Sequence, residues 1–204
     1  MESSLDLVRR LLALAQSGLH FTPQEYDRER YREVIDIATR LLSSESGIAS
    51  ERLRQAWFVE DGYATPKVDV RGAIFRDQRV LLVRETTDGK WTLPGGWADV
   101  NDSPSLAVEK EIEQESGFTA RAAKLAAVYD RNQHGHPPYF FHAWKLFFIC
   151  EITGGAPRLS HETDGVEFFP LDALPELSTG RSTATQIMRM FEHHLHRDWP
   201  TEFD

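Results

Sequence analysis

Two glutamates one helical turn apart, Glu111 and Glu115, are the first residues in this chain whose type and spacing point to chemistry. At roughly 100° per residue they fall on one side of a helix, beside the apolar stripe formed by Val108 and Ile112. Both carboxylates are therefore expected to face inward, with Gln114 next to them and Lys110 and Glu113 turned toward solvent. Like charges four residues apart destabilise a helix, and partial burial raises the cost of an unneutralised pair. A cation is expected between them. No Cys or His occurs from Leu93 to Phe118, so the donors are oxygens, which favours magnesium, manganese or calcium over zinc.

The elements that must position this pair are legible around it. Ser103 followed by Pro104 reads as an N-cap and first helical residue, and Gly117 as the stop, with about four turns between. Ahead of the helix, Pro94-Gly95-Gly96 strips side chains from a strand-to-loop corner, so that backbone groups can approach a ligand or metal. Two further groups are candidates for anion contacts. Arg71 and Arg131 carry the donors that suit phosphate, and His134 and His136 flank a glycine ahead of Pro137 and Pro138 in what reads as a rigid loop. His193, His194 and His196 suit the negative end of a last helix and are read as structural.

Upstream, Leu5, Val8, Leu12 and Ala15 recur at helical spacing with Gly18 as a stop, and Thr22-Pro23-Gln24-Glu25 opens a second helix carrying Tyr31 to Leu42. A third runs from Ser50 to about Phe58, and Asp61 to Pro66 reads as a linker. A helical N-terminal domain is therefore expected over residues 1–64 and a second domain over 65–204. Within the second, Val68, Val70 and Ile74 with Val80 to Val83 predict a hairpin across Arg76-Asp77-Gln78. Leu125 to Tyr129, Trp144 to Ile152 and Val166 to Phe169 predict further strands, and Ile187, Met190, Phe191 and Leu195 a closing amphipathic helix. Strands around few helices give an α+β or layered α/β/α domain.

Composition narrows the function. At 204 residues, 41% hydrophobic and 27% charged, the chain is long enough for one sizeable domain and a small one. A net charge of −9 argues against duplex nucleic acid and makes a diphosphate ligand depend on a metal ion or a local cationic pocket. One cysteine, Cys150, excludes an intramolecular disulfide and fits a reducing compartment, so a cytoplasmic location is expected. The apolar stretch from Leu5 to Ala15 is broken by Arg9 and Arg10 and lacks a cleavage site, and no run of about 20 apolar residues could span a membrane.

The stretch LPGGWADVNDSPSLAVEKEIEQESGF, from Leu93 to Phe118, resembles the Nudix box. Gly96, Glu111, Ile112, Glu115 and Gly117 match at the required spacings and Phe118 fills the terminal apolar position, whereas Asp102, Lys110 and Gln114 replace the usual Glu, Arg and Glu. The resemblance implies a Nudix-type α/β/α fold with a mixed sheet. It also implies a magnesium (or manganese) ion held by Glu111, Glu115 and the Gly95 carbonyl, with Gln114 at a further, weaker metal position. The ion would bridge the diphosphate and activate water, and Glu111 and Glu162 are the candidates for taking the water's proton. Segments around Ala15-Gln16-Ser17-Gly18-Leu19, Tyr26 to Tyr31, Tyr129-Asp130-Arg131 and His134 to Pro138 look like the subgroup with a helical N-terminal domain, which includes CDP-choline pyrophosphatase and implies a homodimer. Hydrolysis of a nucleoside-diphosphate conjugate of the CDP-choline or ADP-ribose class is the expected reaction. The three departures from the box keep a second reading open, a non-catalytic nucleotide sensor. A third, trimming of RNA ends, is disfavoured by the acidity.

Overall fold

The computed structural model describes residues 3–46, 48–57 and 62–204. They divide into two compact units, Met1–Pro66 and Lys67–Asp204. In the first, α1 (Ser4–Phe21) opens on a reciprocal cap: the Ser3 hydroxyl accepts the Asp6 N–H while the Asp6 carboxylate accepts the Ser3 N–H. The helix does not stop at Gly18 but runs one turn further. Gly18 instead makes room for a neighbour, since a Cβ there would lie 2.3 Å from the tip of the Tyr31 ring on α2 (Glu25–Ser46). Val8, Leu12 and Ala15 of α1 are buried, as are Ile35, Ala38 and Leu42 of α2. The third helix, α3, spans Ser50–Trp57; its expected end at Phe58 and the first linker residue, Asp61, lie outside the described residues.

The second unit is two four-stranded sheets with a helix on either side. One sheet has the order β1 (Lys67–Ala73), β6 (Ala143–Gly155), β5 (Phe118–Asp130), β8 (Glu202–Phe203), with β1 parallel to β6 and β5 antiparallel to it. The other joins β2 (Phe75–Arg76), β3 (Arg79–Glu85) and β4 (Trp91–Thr92), with β7 (Thr163–Pro170) on the free side of β3. The strand period of two separates the cores. Val80, Leu82, Phe147 and Ile149 pack with Ile187 and Met190 of α5 (Ala184–Leu195). Their neighbours Leu81, Phe148 and Cys150 pack with Ala107, Val108 and Ile112 of α4 (Pro104–Ser116). Strands covered on both faces read as unbroken apolar runs, which is why Val80-Leu81-Leu82-Val83 shows no alternation. The layered α/β/α arrangement expected from the sequence is what forms.

The predicted hairpin is smaller than its apolar residues suggested. Only β2 and β3 pair across Asp77 and Gln78, which both take positive φ. The residues from Lys67 to Ala73 are registered in parallel against Ala143 to Ile149, so Val68 and Val70 belong to the other sheet. Among the described residues no helix is long and apolar enough to cross a membrane.

Candidate active site

The helix carrying Glu111 and Glu115 begins and ends where its local sequence dictates. Ser103 accepts the Leu106 N–H, Pro104 takes the first turn, and Gly117 closes the helix in the left-handed region at φ 77°, donating to the Glu113 carbonyl. Ile112 and Val108 are fully buried, and Glu115, one turn from Glu111, is only 3% exposed. Its carboxylate accepts the Gly95 N–H at 2.8 Å. Gly95 itself has φ 143°, and a Cβ there would lie 2.0 Å from the Val70 carbonyl oxygen, so no side chain fits. A Cβ on Gly96 would lie 2.9 Å from Oε1 of Glu111. The two glycines thus bring bare backbone against both carboxylates.

Burial pushes the Glu115 carboxyl up to about 8, against the pull of Arg71 and of the Gly95 N–H. Burial likewise raises Glu111 to about 7; Arg71 opposes the shift and Glu162 adds to it. A divalent cation between these two carboxyls would supply the positive charge that offsets the cost of ionising them in a buried place. The donor set agrees, being all oxygen. The carbonyls of Pro94 and Gly96 accept from the Gly72 and Val70 N–H groups, while that of Gly95 has no such partner among the described residues. Among the described residues no three His, Cys, Asp or Glu side chains are grouped so as to hold a metal ion by themselves.

Both glutamates line a cavity of about 460 Å³, in the range of small-molecule sites. The β1–β6 register puts Asp69 directly opposite Lys145, and Arg71 follows two residues on, on the same face. Asp69 takes two hydrogen bonds from Arg71, at 2.9 and 2.8 Å, and one from the Lys145 ammonium at 2.5 Å. Arg71 also donates to the Leu93 carbonyl. Burial disfavours charge on Asp69, yet Arg71 and Lys145 hold its carboxyl below the usual range. Lys145 is 1% exposed, and its burial brings it down to about 8. One anion and two cations leave this part of the wall positive, alongside the acidic edge of α4. Arg131 also reaches the cavity, with its guanidinium donating to the carbonyls of Pro137 and Gly180.

Glu162 lies on the cavity rim, just before β7. It is held there through its neighbour: the Thr163 hydroxyl donates to the Glu115 carbonyl at 2.6 Å, and the Glu162 carbonyl accepts the Thr86 N–H. Of the residues expected from sequence, Gly95, Glu111, Glu115, Glu162, Arg71 and Arg131 therefore meet at one cavity. Gln114, His134 and His136 do not line it. Gln114 is exposed. His134 stacks on Tyr129 and meets the Asp204 carboxylate at 2.8 Å. His136 has Thr179 O at 2.7 Å from one ring nitrogen and Gln186 at 2.9 Å from the other, and burial lowers it to about 4. Both histidines are thus tied to partners within the chain.

Sequence reasoning passed over Asp69, Glu85, Trp97, Tyr139, Lys145 and Arg181 in the cavity wall. Arg181 pairs with Glu85 at 3.0 Å and with Asp88 at 3.3 Å, joining the β3 end to the segment before α5. The Asp102 and Lys110 pair explains two departures from the box at once. The Lys110 ammonium donates to both Asp102 oxygens at 2.8 Å, so the shorter acid and the simpler base are matched to each other, away from the cavity.

Residues 65–191 match the sequence profile of the NUDIX domain, and residues 2–57 match a domain described as UDP-X-like, N-terminal oligomerisation. A Bacillus subtilis protein, YjhB, provisionally named an ADP-ribose pyrophosphatase, is 42% identical over 98% of this chain and 96% of its own. The crystal structure of an ADP-ribose pyrophosphatase from Streptococcus suis is 39% identical with a TM-score of 0.64, covering 69% of this chain and all of that one. The crystal structure of a UDP-X diphosphatase is 32% identical with a TM-score of 0.65, covering 98% and 97% of the two chains.

Proposed function

The chain belongs to the Nudix hydrolase family, and from that membership we propose that it hydrolyses the phosphoanhydride bond of a nucleoside-diphosphate conjugate, releasing a nucleoside monophosphate. The observation that carries this reading is the meeting of Glu111, Glu115 and the bare Gly95-Gly96 backbone with the Asp69, Arg71 and Lys145 cluster in one cavity. The relatives named above act, by their names, on ADP-ribose or UDP-linked compounds. Those classes come first as substrates here, ahead of CDP-choline.

In this reading Glu111, Glu115 and the Gly95 carbonyl hold a magnesium or manganese ion, which when bound neutralises phosphate charge and activates water. The remaining work falls to the chain itself. Arg71 and Lys145, fixed by Asp69, and Arg131, fixed by two carbonyls, stabilise the negative charge of the diphosphate with donors already in place. Glu162, anchored beside the carboxylates yet partly in solvent, takes the proton of the attacking water, and Glu111 is the alternative acceptor. All three departures from the box lie outside the cavity, which favours turnover over the sensor. The test is metal-dependent product release, with product masses identified, across ADP-ribose, UDP-sugars, CDP-choline, NADH and nucleoside triphosphates. Formation of AMP or UMP with magnesium supports the reading. Nucleotide binding without product would move the assignment to the sensor.

The N-terminal unit supports a homodimer. Besides its buried face, α1 exposes Leu7, Leu11 and Leu14 at helical spacing, and α2 exposes Val34, Ile37 and Leu41. Exposed apolar stripes of this kind mark an interface, in keeping with the oligomerisation domain matched there. The double substitution of Leu11→Glu and Leu14→Glu is expected to halve the mass seen by light scattering, with the melting transition of the second unit retained. An unchanged mass would remove α1 from the interface.

A further inference from the structure

Trp97 and Tyr139 line the cavity but take no part in the chemistry described so far. Their rings lie within 23° of parallel, with centroids 6.5 Å apart. Trp97 is 44% and Tyr139 38% exposed, so apolar ring surface stands open in a cavity whose other walls are charged. Contact between carbon atoms is about 3.5 to 4 Å, so a third flat ring between these two needs a spacing of about 7 to 8 Å. The centroids are about 0.5 to 1.5 Å short of that, so the two loops must part by about that much to admit a base.

Both rings come from loops, and both loops are pinned. Trp97 directly follows Gly95-Gly96 and bridges to Asp69, while the Ala98 N–H donates to the Val68 carbonyl at 2.9 Å. The indole is thus tied to the strand that carries Asp69 and Arg71. Tyr139 lies under the Arg131 guanidinium at 4.8 Å and meets Phe141 edge-on at 5.9 Å. One partner sits next to the carboxylates and the other next to a phosphate-directed arginine.

We propose that Trp97 and Tyr139 form the slot that takes the nucleobase of the substrate. The proposal rests on the hydrolase reading for the identity of the ligand and adds how its base is held. Stacking uses the flat face that every base has, and carries little information about which base it is. An adenine and a uracil conjugate are therefore both accepted, the larger purine more tightly. Selection between substrates falls to the group on the far side of the diphosphate.

The experiment is calorimetric titration of the full-length protein in magnesium with AMP, UMP and ribose 5-phosphate, which keeps the sugar and phosphate and lacks the base. AMP and UMP are expected to bind, and ribose 5-phosphate about 10- to 100-fold more weakly. Trp97→Ala should bring AMP down to the level of ribose 5-phosphate, while Trp97→Phe keeps most of the affinity. Tyr139→Ala gives the same reading should the first variant not fold. Equal binding of AMP and ribose 5-phosphate overturns the slot, as do absence of AMP binding and unchanged AMP affinity in a folded Trp97→Ala or Tyr139→Ala protein. Binding needs no turnover, so the two readings fail separately. Base-dependent binding without hydrolysis would sink the hydrolase and leave the slot, and hydrolysis with an unchanged KM in Trp97→Ala would do the reverse.

Discussion

Glu115→Gln is expected to cut kcat/KM by about a thousandfold or more while the protein keeps its fold. Removing one carboxylate from a metal-assisted site forfeits several kcal/mol of charge stabilisation, and about 4 kcal/mol corresponds to that factor. The fold is spared because glutamine has nearly the same shape and its carbonyl still accepts the Gly95 N–H that Glu115 accepts at 2.8 Å. The substitution also removes an ionisable group at a position only 3% exposed, where charge is disfavoured. Melting experiments separate the two effects. Magnesium at about 100 times its Kd should stabilise the wild type by about 2.7 kcal/mol over a chelated sample, and should leave the variant almost unmoved. Full activity in Glu115→Gln would remove the residue from the metal site, and an equal magnesium shift in both proteins would place the ion elsewhere.

What was legible in the sequence was what local rules decide. Ser103, Pro104 and Gly117 bounded α4, and a period of 3.6 put Glu111 and Glu115 beside Val108 and Ile112. The same wheel puts Gln114 at the margin of that face. It lies about 60° from Glu111 on the side away from Glu115, past the edge of the inward arc, and is exposed. Gly18 fits a helix stop by type, yet the ring of Tyr31 needs its bare surface, and tertiary packing carried the helix past it. The surroundings of the histidine loop were hidden for a similar reason, since the hydrogen-bond partners of His134 and His136 are Asp204, Thr179 and Gln186, all at least 43 residues away. The cationic cluster needed the β1–β6 register, which pairs residues 76 positions apart. Its traces were present all the same: two charges alternating with valines in Val68-Asp69-Val70-Arg71, and a lone lysine at the head of the apolar run from Trp144 to Ile152.

That cluster yields the largest expected effect on stability. Asp69→Ala leaves Arg71 and Lys145 buried without the anion that both contact. Breaking a buried ion pair by removing one partner costs about 3 to 5 kcal/mol, because the remaining charge is uncompensated. For a chain of this size each kcal/mol moves the melting temperature by about 2 to 4 °C, so a fall of about 10 °C is expected at pH 7. The loss is electrostatic rather than a matter of volume, and a second variant shows it. Pairing Asp69→Asn with Lys145→Met replaces two charges by neutral groups of similar size and leaves Arg71 an amide oxygen to donate to, and is expected to recover part of the stability lost on removing Asp69 alone, the rest staying with the unpaired Arg71 charge. It should not recover activity, since on the proposed function Lys145 is one of the two cations of this cluster that meet the diphosphate. A melting temperature within about 2 °C of wild type for Asp69→Ala would mean that Glu85 or Glu115, whose charges also act on Arg71, takes over the pairing. On the proposed function, the reason for keeping so costly an arrangement in the core lies with the substrate: Asp69 holds Arg71 and Lys145 at the cavity wall before any ligand arrives.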